Sequence, residues 1–402
     1  MENSIDTRIF SFFGNVRIMP FPLRRILSIG IVVSTLAMAV DSAEPPRVIE
    51  HVQVYDVPGR FGGWPANQGA WIWDNEILVG FSVGDYKDLG GSHYDYDRTQ
   101  PEENILARST DGGHRWLLEY PGRQHVLVGT KGMRKGTIPH EQSEPELVNC
   151  PGDIDFTHPD FAMTLRFEGV QTGSSRFYYS YDRGKAWNGP FRLPNFGQKG
   201  IAARTDFIVN GKHDAFFFLS ASKSNNREGR VICGRTTDGG KTFEFVSYIG
   251  PEPNGFSIMP STLRLSATDM LCMIRRRSGP MEKERGWIEA WRTHDNGNTW
   301  VFDQDIAETG EGNPPHLIRL KDGRLSLTYG FRTAPFAMHA RFSGDDGKSW
   351  TEPFILDGDA ACLDIGYPRT VQRPDGKLVS IYYVVEKKAR KVTATIWDPG
   401  TR

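Results

Sequence analysis

Five copies of one short string constrain this chain more than any other feature. They read STDGGHRW from Ser109, SYDRGKAW from Ser180, TTDGGKTF from Thr236, THDNGNTW from Thr293 and SGDDGKSW from Ser343. The shared pattern is Ser or Thr, any residue, Asp, any residue, Gly, two variable positions and an aromatic. An Asp side chain at that place accepts backbone N–H bonds from residues just ahead of it. Gly113, Gly184, Gly240, Gly297 and Gly347 supply the positive φ that a tight turn demands. Strand-like runs flank the copies, such as SRFYYS before the second and GWIEAWR before the fourth. The chain is therefore expected to be a ring of short strands rather than a helical protein. Aromatic content of 12% with 43 Gly and 25 Pro points the same way.

A second repeat runs out of phase with the first. Candidate inner strands begin near a proline: GWPANQGAWIW at Gly63, THPDFAMTLRF at Thr157, MPSTLRL at Met259, NPPHLIRL at Asn313 and YPRTVQRP at Tyr367. ARTDFIV at Ala203 is the sixth, with Thr205 in place of Pro. Apolar second strands follow most of them, such as TDMLCMI and DGKLVSIYYVV. Six starts and five turns imply six blades, the last one closed by Arg47–Asp56 as its outer strand.

In such a ring the starts of the inner strands converge on the axis. That set is Trp64, His158, Asp160, Arg204, Asp206, Met259, Glu311, Asn313, Asp364, Tyr367 and Arg369. Asp85, Arg275, Arg276, Arg277, Arg332 and Glu386 end the second strands on the same face. The opposing reading is a ring of ion pairs that only satisfy one another. A polar insertion between Asp85 and Asn104 reads as a lid over this face. The segment from Leu117 to Ile154 carries the patches GTKGMRKG and HEQSEPE, without an assigned role.

The N-terminus reads as an export signal over residues 1–43, with the ring at 47–398. Arg24 and Arg25 precede a fifteen-residue apolar run, Ile26 to Val40, with the small residues Ala37 and Ala39 at its end and Ala43 just after it. A spanning helix needs about 20 apolar residues, so no stable membrane insertion is expected after cleavage. Met19 offers an alternative start. Export permits disulfides, and Cys150, Cys233, Cys272 and Cys362 allow three pairings; isolated buried thiols are the competing reading. A net charge of −1 argues against nucleic acid as a partner. No Cys/His spacing suits zinc, and no cofactor is implied. Oligomeric state is not set by the sequence.

The five strings resemble the Asp-box of the sialidase (neuraminidase) superfamily. The resemblance implies a six-bladed β-propeller with each box between the third and fourth strands of a blade. It implies a Tyr nucleophile, since a carboxylate beside the anomeric carbon repels an Asp or Glu. GYPRTVQRPDGKLVSIYYVVE matches the layout of the nucleophile stretch, which makes Tyr367 the candidate. The acid/base Asp of the family stands twelve residues before the first box, where this chain has Asp97, with Asp95 and His93 close by. Of the family's three carboxylate-clamping arginines, Arg275 and Arg332 match the second and third. Gly63 occupies the place of the first. Met259 occupies the place of the Glu that activates the Tyr, so Glu311, Asp364 or Asp206 is expected to substitute. Arg204, Asp206, His158, Asp160, Trp64 and Arg369 complete the expected sugar-binding set. The implied activity is that of an exported exo-α-sialidase-type glycoside hydrolase acting on a glycan. A non-catalytic glycan-binding propeller and a polysaccharide lyase on acidic glycans are the alternatives.

Overall fold

The computed structural model describes residues 44–89, 96–97, 99–124, 126–127, 146–171, 173–279, 285–386 and 389–401. The expected export segment, His93 and Asp95, and most of the GTKGMRKG and HEQSEPE patches lie outside the described residues. Among the described residues the chain is all β. Its helices are single turns, Pro65–Gln68 and Pro121–Gln124, and no helix is long and apolar enough to cross a membrane.

The sheets form a propeller arrangement of antiparallel strands. Four sheets stand alone. They are built around Ala162–Phe167, Asp214–Ser222, Met270–Arg277 and Leu325–Phe331, and hold three, five, four and four strands. The fifth sheet has nine strands and unites the two ends of the chain. In it Arg47–Tyr55 pairs with Ala389–Asp398, register Arg47↔Asp398 to Tyr55↔Val392, which is the closure expected for the N-terminal strand. A single parallel bridge, Phe61↔Arg390, then joins Ala389–Asp398 to Arg60–Gly63. The expectation of six separate four-stranded blades is corrected accordingly: four separate blades are present, and the strands assigned to the first and last blades form one hydrogen-bonded sheet.

Binary patterning explains the stacking. In Met270–Arg277, Met270, Cys272 and Ile274 face Phe216, Phe218 and Val231 of the preceding sheet. Leu271 and Met273 face Leu317, Leu325 and Leu327 of the following one. A strand buried on both faces reads as a continuous apolar run, and TDMLCMI is such a run. Arg275 continues the odd-numbered face beyond the core. Of the four cysteines Cys150, Cys233 and Cys272 are buried, Cys362 is partly exposed, and none is in a disulfide.

Each repeated string joins the last two strands of its blade, as between Glu103–Ser109 and Leu117–Glu119; in four these are a third and a fourth strand, and in the three-stranded sheet the second string joins Ser175–Ser180 to Asn188–Leu193. Each builds the same turn. The Ser or Thr hydroxyl accepts the Gly amide at 2.7–2.9 Å, with that Gly at φ between 77° and 97°. The Asp carboxylate accepts the amide four residues on at 2.9 Å in every copy. These aspartates are fully engaged within their own turns. Asp238→Ala orphans the Thr236 and Thr242 contacts and should destabilise the fold by ~2 kcal/mol while leaving catalytic constants unchanged. Thermal unfolding of that variant checks it; an unchanged midpoint would show that the turn is not a structural clamp.

Candidate active site

Three X-Pro pairs shape the axial face. The residue before a proline is normally extended. Trp64, Met259 and Tyr367, each followed by Pro, instead hold φ of 63°, 54° and 53°. This left-handed basin is uncommon for large side chains and has to be imposed by surroundings. Ladder register breaks at two of the three, between Ile258 and Ser261 and between Gly366 and Arg369. A bulge of this kind re-aims one side chain out of the normal alternation.

Asn313 imposes the conformation at Tyr367. It is fully buried; its Oδ1 accepts the Tyr367 amide at 3.2 Å and its Nδ2 donates to the Ile365 carbonyl at 2.7 Å. Gly366 has to be glycine, because a Cβ there would stand 2.2 Å from Asn313 Nδ2.

The Tyr367 hydroxyl is therefore fixed inside a cationic shell. Arg275 Nη1 donates to it at 3.1 Å and lies 3.7 Å from Met259 Sδ. The guanidinium carbons of Arg275 and Arg332 stand 5.8 and 5.7 Å from the Tyr367 ring centre. Burial alone would raise this phenol. The charges of Arg275, Arg332 and Arg204, with the Arg275 hydrogen bond, outweigh it and hold the phenol below its ordinary value near 10. No carboxylate is hydrogen-bonded to this hydroxyl among the described residues.

Arg275 is buried, and no carboxylate pairs with it among the described residues. Arg332 is held differently. Its Nη2 donates to the Tyr383 hydroxyl at 2.7 Å, its Nε to the Ile365 carbonyl at 3.1 Å and its Nη1 to the Gly312 carbonyl at 3.3 Å. Arg204 pairs with Glu228, donates to Asn67 Oδ1 at 3.1 Å and stacks over Phe167.

Several expectations are corrected here. Asp364 does not serve the Tyr367 hydroxyl: its carboxylate accepts the Tyr383 hydroxyl at 2.6 Å, pairs with Arg390 and lies 3.9 Å from Arg332. Glu311 sits half-buried beside Gly312, without a hydrogen bond to Tyr367. Asp206 lies deeper, accepting from the Thr262 hydroxyl at 3.1 Å. Burial pushes its carboxyl up to about 7 against the opposing pull of Arg369 and Thr262. Arg369 is tied to the carbonyls of Ala66 and Thr205 and, buried, is lowered to about 10 despite Asp206. These two residues brace the axis.

Trp64 is buried against Phe61, Tyr96 and Tyr383, so it offers no sugar-stacking surface. His158 and Asp160 belong elsewhere. Ala162–Phe167 is not an inner strand: it pairs Ala162↔Ser180, so its start lies at the Asp-box end. Gly366, Phe256 and Ile201 begin at the opposite end, pairing with Tyr383, Arg277 and Ala221. Asp160 accordingly accepts from Arg183 of the second box at 2.6 Å, and the His158 ring packs 4.8 Å from that of Tyr181. The proline in THPDF imitated the repeat one strand out of phase.

Asp97 follows Tyr96, whose ring packs on Phe61 and Trp64. Its carboxylate accepts from the Thr99 hydroxyl at 2.6 Å and amide at 2.9 Å, and Lys87 Nζ is 3.7 Å away. Those contacts, the Thr99 hydroxyl first, keep it below the usual carboxylate range.

Tyr383, Arg390 and the positioning role of Asn313 escaped the sequence reading. Arg390 comes from Ala389–Asp398, one strand beyond the expected funnel set. Its stem lies 3.6 Å from where a Cβ of Gly63 would be, and its guanidinium sits 5.4 Å from the Trp64 ring centre. A cation from a neighbouring strand thus stands beside position 63, paired to Asp364.

No curated protein matches the chain. Among solved structures, a protein of unknown function from Dyadobacter fermentans is 18% identical, with 89% of this chain and 99% of that one covered at a TM-score of 0.66. The NanB sialidase of Streptococcus pneumoniae is 11% identical over 89% and 70% of the chains, TM-score 0.56. An α-L-arabinofuranosidase of Fusarium graminearum is 13% identical over 87% and 97%, TM-score 0.54. These similarities establish a shared sialidase-type propeller fold. Residues 161–380, more than half of the chain, match the BNR repeat-like domain, and the chain belongs to that family.

Proposed function

We propose that this chain is an exported glycoside hydrolase of the sialidase type, acting by double displacement on terminal sugars that carry an anionic group. The observation that carries the reading is the Tyr367 hydroxyl, buried among Arg275, Arg332 and Arg204 with a lowered pKa and no carboxylate bound to it. Three positive charges favour the phenolate, so the nucleophile is activated by cations in place of the carboxylate lost at Met259. The phenolate oxygen attacks the anomeric carbon and the aglycone oxygen departs with a proton. Water, giving its proton to the Asp97 carboxylate left by the first step, then attacks the glycosyl-tyrosine intermediate and releases the phenolate. Arg275 holds the substrate anion; its Nε makes no hydrogen bond to the protein.

Asp97 is the acid that protonates the leaving oxygen. Its carboxyl has to leave Thr99 and Lys87 to do so, since both stabilise the ionised form. Asp97→Asn should lower kcat/KM by about 100-fold for a glycoside with a poor, alkyl leaving group and far less for one with an activated aryl group. Equal losses on both substrates would remove Asp97 from the acid role. The glycan-binding alternative calls for exposed rings such as Trp64 and Tyr86; Trp64 is buried and Tyr86 is half-buried, which weakens it. A screen of the purified protein against aryl glycosides, with sialosides and uronosides included, tests the hydrolase reading. Turnover confined to neutral sugars overturns the anionic preference.

A further inference from the structure

An open groove of roughly 610 Å³ lies against the same wall as Tyr367, between the sheets built around Asp214–Ser222 and Met270–Arg277. Phe256 joins the two sites: its ring lines the groove, and the Arg275 guanidinium stands 5.3 Å from its centre. Arg277, paired in register with Phe256, shares a strand face with Arg275 two residues further toward the groove.

The walls of the groove are built. Lys223 is buried, and its ammonium donates to three consecutive carbonyls, Pro253, Asn254 and Gly255, at 3.0, 3.2 and 2.7 Å. This fixes the segment that presents Asn254, with the Glu252 carboxylate held on the neighbouring Ser224 amide and hydroxyl. On the facing loop Arg227 is exposed. Its amide is tied to Asn225 Oδ1 at 3.0 Å, and no carboxylate reaches its guanidinium among the described residues. Glu228, the acid lining the groove, is already paired with Arg204. Arg227 is thus the guanidinium the groove offers to an anion, and the Asn225 amide and the Phe256 ring supply hydroxyl and sugar-face contacts.

We infer that this groove is a leaving-group subsite, taking the sugar unit next to the scissile bond, and that this unit is itself anionic, carrying a carboxylate or a sulfate. The inference rests on the hydrolase reading for its place in the reaction but not for its chemistry. Arg227 holds the anion, and Phe256 seats the ring on the side away from Tyr367.

Calorimetric titration of the full chain bearing Tyr367→Phe, which removes turnover, tests it. The probes are a uronic-acid trisaccharide, a sulfated trisaccharide and a neutral trisaccharide of the same length. The acidic probe should bind about tenfold tighter than the neutral one, weaken as salt rises from about 50 to about 300 mM, and lose that advantage in Arg227→Glu. Whichever acidic probe is preferred identifies the anion. Equal binding of acidic and neutral probes, or an acidic preference intact in Arg227→Glu, overturns the proposal. Aryl glycosides place no second sugar in the groove, so their turnover reports on the hydrolase reading alone. Binding dependent on Arg227 without such turnover leaves the groove standing and removes the hydrolase.

Discussion

Tyr367→Phe should lower kcat by about 10³-fold or more on any glycoside the protein turns over, with circular dichroism and the unfolding midpoint unchanged. The substitution removes one oxygen. The ring keeps its contact with Tyr383, 5.7 Å between centres, and the left-handed backbone is held by Asn313 through the amide rather than the hydroxyl. A packing role for the hydroxyl predicts nearly full activity instead. Tyr383→Phe is the informative control. Tyr383 is fully buried and its hydroxyl links Arg332 to Asp364, so its loss should disturb the clamp without removing the attacking atom. KM should rise in that variant more than kcat falls. Trapping with a slow-leaving fluorinated glycoside adds a direct readout: the adduct maps to Tyr367 in a digest, and an adduct on any other residue sinks the assignment.

Much of this arrangement was legible because two periodicities overlap. The Asp-box turns are local: every hydrogen bond that makes one lies within five residues, so residue type at fixed spacing reports it directly. The X-Pro repeat reported Tyr367 and Met259 for a similar reason, as one bulge recurs on equivalent strands. Illegibility begins where partners come from distant strands. Nothing near Gly63 in sequence announces Arg390, which reaches it across the junction of the chain's two ends. The Tyr383–Asp364 pair depends on a strand-alternation choice that leaves Tyr367 facing Arg275, and both tyrosines read alike as aromatics in one run. His158 and Asp160 fail for a different reason. A proline before an apolar run marks an inner-strand start only if the strand before it is known, and Ala162–Phe167 occupies the second-strand position. Closure of the last blade by the N-terminal strand was legible, but its fusion with the first blade was not, since the single bridge Phe61↔Arg390 leaves no local trace.

Arg275→Gln should shift the acid limb of the kcat/KM profile toward alkaline pH and lower activity at neutral pH by about 10²–10³-fold. The sign follows from the charges. Burial raises the Tyr367 phenol, and Arg275 is the largest of the influences that lower it, ahead of Arg332 and Arg204. Removing that cation moves the phenol upward, so a smaller fraction is phenolate at any pH below the new value. Activity of a phenolate nucleophile rises through its pKa, and the limb must follow it. Glutamine ends two bonds short of the Arg275 Nη1 that reaches the hydroxyl, so it removes contact and charge together, and the pH limb is the readout that reports the charge. Two readouts separate the roles. Loss of an anion-binding residue alone raises KM for acidic substrates at every pH and leaves the limb where it was. Loss of the activating charge moves the limb even for a neutral aryl glycoside. Arg275→Lys, which restores a cation without the planar fork, should return the limb toward its original position while recovering little affinity for a carboxylate. A limb that stays fixed in the glutamine variant would show that Tyr367 is not activated by its arginines.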